Sequence, residues 1–268
     1  MKKNSLKKKS NPLVSIIMNC HNGEKFLESS LSSIFQQNYK NWEVIFWDNS
    51  STDNSKAILK KFVDKRIKYF YSKKFNSLYR SRNLAISKAK GKYLCFLDVD
   101  DQWKYDKLIK QVNSIEKSNS KFIYSNHHIK NKKKNKTFLR YRGKLPEGNI
   151  TQNLLNDYFI GINTVMIKRE IFKNYKFNNK YDIIGDFELF IKLSTKYKFT
   201  CVQKSLAIYN FHGENLSNTK KKLYIKELKN WIKKNEKNMS KKFNIGKIKF
   251  LLFKLKVKNI LQYFSKLY

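Results

Sequence analysis

The chain of 268 residues is poor in residues that break or staple a fold. Only two prolines and eight glycines occur, so no Pro- or Gly-rich linker separates independent domains. One large α/β domain with a smaller appendage suits the length. Cysteine is reduced to Cys20, Cys95 and Cys201, odd in number, far apart and in no CxxC pattern. That excludes a disulfide framework and points to a reducing, cytoplasmic setting. Long apolar runs are also missing: none reaches the roughly 18 residues of a spanning helix. The charged start Met1-Lys2-Lys3 leads into no apolar segment of a secretory signal. Negative charge is scarcest of all, with 20 acidic residues against 58 basic ones and a net charge of +38. Such a field draws phosphate polymers, anionic membrane surfaces or anionic small molecules, and says nothing of the fold. A composition heavy in Lys, Asn and Ile, as AT-rich codon usage produces, accounts for part of it. Nucleic-acid binding is therefore not read from charge alone.

What is present is a regular order of apolar residues. Residues 1–10 read as a disordered basic arm. Residues 13–18 predict a buried strand, followed by Phe26, Leu27, Leu31, Ile34 and Phe35 at helical spacing. Further strands are expected at 42–47, 67–71 and 93–97. Helices are expected through Ile58, Leu59 and Phe62, through Leu84 to Ala89 with Gly91 as the stop, and through Leu108, Ile109, Val112 and Ile115. This alternation predicts an α/β fold with a mostly parallel, Rossmann-like sheet flanked by helices, whose ligands bind beyond the carboxyl ends of the strands. Residues 127–145 read as a basic insertion, expected as a solvated surface loop. Strand patterns return at 164–167, 199–203 and 206–211, and a helical one at 186–197. The main domain is expected at 11–218, with halves 11–127 and 128–218. Residues 219–268 read as a basic amphipathic helical tail; from Lys220 onward sixteen lysines face two glutamates. Interfacial docking to anionic lipid and packing on the main domain are both open to it.

Asp98, Asp100 and Asp101 follow the apolar run 93–97 directly. Carboxylates crowd at a cost unless a cation neutralises them. Hard oxygen ligands at alternating positions suit Mg²⁺ or Mn²⁺, with phosphate oxygens completing the shell. A turn that merely caps the next helix is the alternative. A phosphotransferase built on a strand-end Asp-x-Asp would carry it near the N-terminus with a hydroxyl residue soon after; here Asp101-Gln102-Trp103 follows. A basic nucleic-acid-binding protein would interleave aromatics with Lys and Arg along a groove, whereas these aromatics fall in expected core strands. No Ser/His/Asp or Cys/His pattern offers a protein nucleophile.

Four ordered segments go further: 14–27 (VSIIMNCHNGEKFL), 37–55 (QNYKNWEVIFWDNSSTDNS), 81–86 (SRNLAI) and 89–101 (AKGKYLCFLDVDD). Together they resemble family 2 glycosyltransferases of the GT-A fold, closely over 12–127 and more loosely to about residue 217. The resemblance implies an inverting transferase that takes a sugar from a nucleoside diphosphate sugar, a UDP-sugar foremost. The acceptor would be a hydroxyl of a glycan or lipid-linked sugar in cell-surface polysaccharide or lipopolysaccharide synthesis. Asn19, His21, Asp48 and Asn49 would hold base and ribose, Arg82 would lie near the donor phosphates, and Asp98 would face the sugar or ribose. Asp100, with Asp98 and His212, would hold Mg²⁺ or Mn²⁺. In 184–193 (IGDFELFIKL), Asp186 matches the general base, the preceding acid of the motif being replaced by Gly185; a helix N-terminal role is its alternative. Asn49 stands where a second Asp is usual, and Asn19-Cys20-His21 where Pro-Val-Tyr is commoner. These losses leave a non-catalytic nucleotide-sugar binder as a further possibility. Docking at the cytoplasmic membrane face is expected, and nucleic acid is not expected as a partner.

Overall fold

Strand β1 (Val14–Cys20) and strand β2 (Trp42–Asp48) are buried at every residue, the pattern of parallel strands covered on both faces. Side chains alternate between the faces. Ile17, Ile45 and Trp47 enter one core cluster, while Ile16, Met18, Val44 and Phe46 enter the other. The computed structural model describes residues 11–131 and 133–264, with side chains through residue 261. The arm expected at 1–10 lies outside the described residues.

After β1 come α1 (Glu24–Phe35), β2, α2 (Ser55–Lys60), β3 (Ile67–Tyr71), α3 (Leu78–Ile86), β4 (Tyr93–Phe96), the two-residue β5 (Gln102–Trp103) and α4 (Lys107–Ser118). The second half runs β6 (Phe122–Asn131), β7 (Lys136–Leu139), α5 (Thr151–Asn156), β8 (Met166–Lys168), α6 (Gly185–Ser194), β9 (Thr200–Phe211), α7 (Leu216–Thr219), α8 (Lys221–Met239) and α9 (Gly246–Phe264). The described strands form one sheet in the order β3-β2-β1-β4-β8-β6-β9-β5, with β7 pairing β6. The expected parallel pairing holds from β3 to β4 and again between β6 and β9. The other pairings are antiparallel, so the sheet as a whole is mixed. The cause is the crossover through α4: it sets β6 one strand away from β4, and β8 fills the gap running the opposite way.

Three local expectations are corrected. Residues 127–145 are not simply a loop: β6 continues to Asn131 and turns back as β7. The lysines of this hairpin hid the strand pattern, and charge on an edge strand discourages pairing with other chains. Residues 127 and 128 also lie inside β6, so the division of halves falls within a strand. Residues 199–203 and 206–211 belong to one strand, β9, because a register shift opposite Ser125–His127 absorbs the polar interruption. Gly91 is not the stop of α3, which ends at Ile86. Its bare Cα is needed for close approach instead, since a Cβ would sit 2.6 Å from the Ser15 amide.

The tail is helical and α8 is anchored. Leu228, Trp231 and Ile232 are buried in the core cluster that contains α6, with the Trp231 ring edge-on to Phe187 at 4.8 Å. Each such side chain contributes roughly 1.5–3 kcal/mol on burial. Among the described residues no helix is long and apolar enough to cross a membrane.

Candidate active site

Because β1, β2 and β4 run parallel and adjacent, the loops that follow them leave the same sheet edge. A cleft of about 1010 Å³ lies there. Every residue chosen from the sequence except Asp48 borders it: Asn19, His21, Asn49, Arg82, Asp98, Asp100, Asp186 and His212.

Asp48 sits behind the wall. Its carboxylate accepts from the Ser51 amide at 2.9 Å and from the Tyr69 hydroxyl at 2.9 Å, so it braces the loop after β2. Asn49 borders the cleft, but its amide is spent on Asn76: Nδ2 donates to the carbonyl at 2.9 Å and Oδ1 accepts from the amide at 3.0 Å. An aspartate could not donate to that carbonyl, which explains why Asn suits this loop. His21 Nδ1 pairs with the Asn49 carbonyl at 3.0 Å, and its ring meets Phe75 edge-on at 4.6 Å. Phe75 is exposed at the rim. Asn19 Nδ2 is buried without a hydrogen-bond partner, a donor directed to no group of the protein.

The three aspartates after β4 have different surroundings. Asp98 is ion-paired with buried Arg82, Oδ1 to Nη2 at 2.5 Å. Asp100 receives His212 Nε2 at 3.1 Å and Asn215 Nδ2 at 3.2 Å. Burial and the neighbouring Asp98 charge raise its carboxyl above the usual range. Asp101 is enclosed, accepting from Asn163 Nδ2 at 2.7 Å and the Asn210 amide at 3.0 Å; burial and the adjacent carboxylates push it well up. His212 stacks on Phe26 at 4.6 Å, and its Nδ1 accepts from the Glu214 amide at 3.2 Å. With Nδ1 occupied there, Nε2 is the nitrogen that faces Asp100. Among the described residues no three His, Cys, Asp or Glu side chains gather as a self-sufficient metal cage. The donor set suits the other mode of Mg²⁺ or Mn²⁺ binding, one or two carboxylates with substrate phosphates completing the shell.

Asp186 opens the first turn of α6 and is half-buried, facing the cleft. Oδ1 accepts from the Tyr79 hydroxyl at 2.9 Å and Oδ2 from the Tyr158 hydroxyl at 3.1 Å. Burial raises its carboxyl above the ordinary value, while Arg82 and the two hydroxyls act in the other direction. Gly185 explains its own presence: a Cβ there would lie 2.4 Å from the Tyr79 ring. The space an acidic side chain would need belongs to the tyrosine that binds Asp186. Glu188 points away, its charge facing Lys192 and Lys234. The turn entering α6 is gripped by buried Glu227 of α8, whose carboxylate accepts from the amides of Asp182 at 2.7 Å, Ile183 at 3.0 Å and Ile184 at 3.1 Å.

Sequence reasoning passed over Phe75, Tyr79, Tyr158 and Asn215. Tyr79 had a signal, standing three residues before Arg82 on one helix face. Tyr158 lies in a stretch to which no element was assigned.

A mixed α/β sheet with carboxylates after β4 and a second acid on a later helix, all in one cleft, is the architecture of the GT-A fold class. The chain belongs to glycosyl transferase family 2, whose profile matches residues 15–192. It is 35% identical over 167 residues to the Escherichia coli UDP-Glc:alpha-D-GlcNAc-diphosphoundecaprenol beta-1,3-glucosyltransferase WfgD, covering 62% of this chain and 64% of that protein. The chain thus spans less than two thirds of that relative's length. Solved structures of like fold include TarS of S. aureus in complex with UDP, with TM-score 0.64, 19% identity, and 81% of this chain and 65% of that one covered. Another is the Pyrobaculum calidifontis mannosyltransferase PcManGT with GDP-Man and Mn²⁺, with TM-score 0.61, 16% identity, and 83% and 64% covered. Membership in this family disfavours the nucleic-acid-binding alternative.

Proposed function

We propose that the chain is an inverting glycosyltransferase that moves a sugar from a UDP-sugar to a hydroxyl of a lipid-linked glycan acceptor in cell-surface polysaccharide synthesis. The observation that carries this is Asp186: a carboxylate held by two tyrosine hydroxyls, facing the cleft that also contains Asp98, Asp100 and Arg82. In this reading Asp186 takes the proton of the acceptor hydroxyl as its oxygen attacks the anomeric carbon and the bond to the nucleoside diphosphate breaks. Arg82 orients Asp98 and adds positive charge near the departing diphosphate. Asp100, with Asp98 and His212, would hold Mg²⁺ or Mn²⁺, which when bound would offset charge growing on the diphosphate. His212 and Asn215 flank the Asp100 carboxylate and position it. Phe75 and His21 offer aromatic surface at the rim for the base. UDP-glucose and GlcNAc-diphosphoundecaprenol, the pair in the E. coli relative's name, form the first pair to assay. Peripheral association with the cytoplasmic membrane face belongs to the same reading.

The decisive experiment is a thermal-shift panel of nucleoside diphosphate sugars with and without Mn²⁺. At a donor concentration of about 100 Kd the stabilisation is about 2.7 kcal/mol, or roughly 5–10 °C for a chain of this size. It should require Mn²⁺ and vanish in Asp100→Ala. No metal-dependent response to any donor would sink the proposal.

The pH profile gives an independent check. Asp186 works as the anion, so the rate climbs as pH rises through its pKa. Burial has already moved that pKa upward. Tyr79→Phe removes a donor to the anion and raises it further, shifting the acidic limb by about one pH unit to higher pH. Arg82, Tyr158 and Tyr224 remain around the carboxylate, so the limb moves without disappearing. An unmoved limb would contradict the assignment.

A further inference from the structure

We propose that α9 is a bilayer-docking helix that seats the mouth of the cleft on an anionic lipid surface. At 3.6 residues per turn, Phe250, Phe253, Val257, Ile260 and Leu261 fall into one stripe along α9, about 100° wide. They are exposed, Phe253 by 60%, Ile260 by 53% and Leu261 by 64%. The inner face is already used: Ile248 is buried, and Leu252 and Leu255 pack on the core. The helix is therefore held by one side while the outer stripe faces outward.

Lysines run along both edges of that stripe. Lys247, Lys254 and Lys258 lie on one side, and Lys249 and Lys256 on the other. Lys254 sits over the Phe250 ring at 4.5 Å, and Lys249 pairs with Glu236 of α8. An apolar stripe between two cationic rows matches the layering of a bilayer surface, with acyl chains beneath anionic headgroups. A nucleic acid would leave the apolar stripe uncovered. A second copy would bring two lysine-bordered faces together, in a chain of net charge +38.

The stripe is continuous with the site. Lys247, Phe250, Leu251 and Lys254 also border the cleft. A bilayer against α9 therefore lies at the cleft mouth, where a sugar standing above the headgroups reaches Asp186 without leaving its lipid. This deepens the lipid-linked acceptor reading and rests on it for its purpose; the docking itself rests on α9.

The test is co-sedimentation of the full chain with vesicles of phosphatidylglycerol and phosphatidylcholine, against phosphatidylcholine alone. The mixed vesicles are expected to bind roughly tenfold or more tightly. Phe253→Glu with Ile260→Glu, and separately Lys256→Glu with Lys258→Glu, should each weaken that binding by roughly tenfold or more. Both variants change exposed positions outside the cleft lining and should keep the metal-dependent thermal response to donor. Equal partition into the two vesicle types, or full binding by the Phe253/Ile260 variant, overturns the proposal. So does lipid-free dimerisation that this variant abolishes. Failure of the unaltered chain to bind vesicles, with an intact donor response, condemns only the docking; vesicle binding with no donor response condemns only the donor site.

Discussion

Asp186→Asn is expected to keep the donor bound and to lower kcat by roughly 10²- to 10⁴-fold, the range for loss of a positioned general base. The substitution preserves shape, and the hydrogen bonds of Asp186 go to Tyr79 and Tyr158 rather than to the Asp98–Arg82 pair or Asp100. The metal-dependent thermal response to donor should therefore survive unchanged. Stability gives a second sign to check. A carboxyl whose folded pKa is raised stabilises the fold while protonated, and that contribution is lost as pH rises through the folded pKa. At neutral pH the ionised carboxylate is thus a native-state cost that the neutral amide removes, while one tyrosine hydroxyl must find a new acceptor. Thermal stability at pH 7 should hold or rise as activity falls, the trade expected where a site is arranged for chemistry. A variant that loses donor binding together with turnover would make Asp186 a structural residue.

Gly185→Ala is the second large effect, and it acts through packing. The added methyl would meet three ring carbons of Tyr79 at 2.4–2.6 Å, and Tyr79 is only 2% exposed, so the ring cannot swing into solvent. Overpacking of this kind costs about 1–3 kcal/mol, a fall in Tm of roughly 2–12 °C for a chain of this size. Turnover should drop as well, because the displaced ring carries the hydroxyl bound to Asp186. A double-mutant cycle isolates the cause. In a Tyr79→Ala background the ring is gone, and Gly185→Ala should cost close to nothing. Equal destabilisation in both backgrounds would mean that α6, not the ring, resents the methyl.

The parallel half of the fold was legible because its strands are continuous apolar runs with short helices between them. The run at 67–71 matches β3, and those at 13–18 and 42–47 miss β1 and β2 only at their ends. The second half was less readable. In β6 and β7 the alternation is masked by lysines on an edge hairpin, and β9 carries a bulge that reads as a break. Within the site, sequence located residues better than it assigned their partners. Asp48 closes β2 and Asn49 opens the expected loop, yet their polar atoms are used by Tyr69, Ser51 and Asn76. Spacing along one chain cannot show which hydrogen bonds are already taken. Nor could it show that the unusual Gly185 and the overlooked Tyr79 are two halves of one arrangement, since they lie far apart in sequence and meet only when α3 packs on α6.

The grip of Glu227 on the amides of Asp182, Ile183 and Ile184 bears on how such enzymes can be recombined. The family profile ends at residue 192, which invites a graft of the core onto another C-terminal segment. Yet the turn that aims Asp186 takes three of its hydrogen bonds from a carboxylate beyond that limit. A chimaera joined between α6 and α8 needs an acid at the equivalent helical position, or the turn that carries Asp186 will be inherited without its fastening.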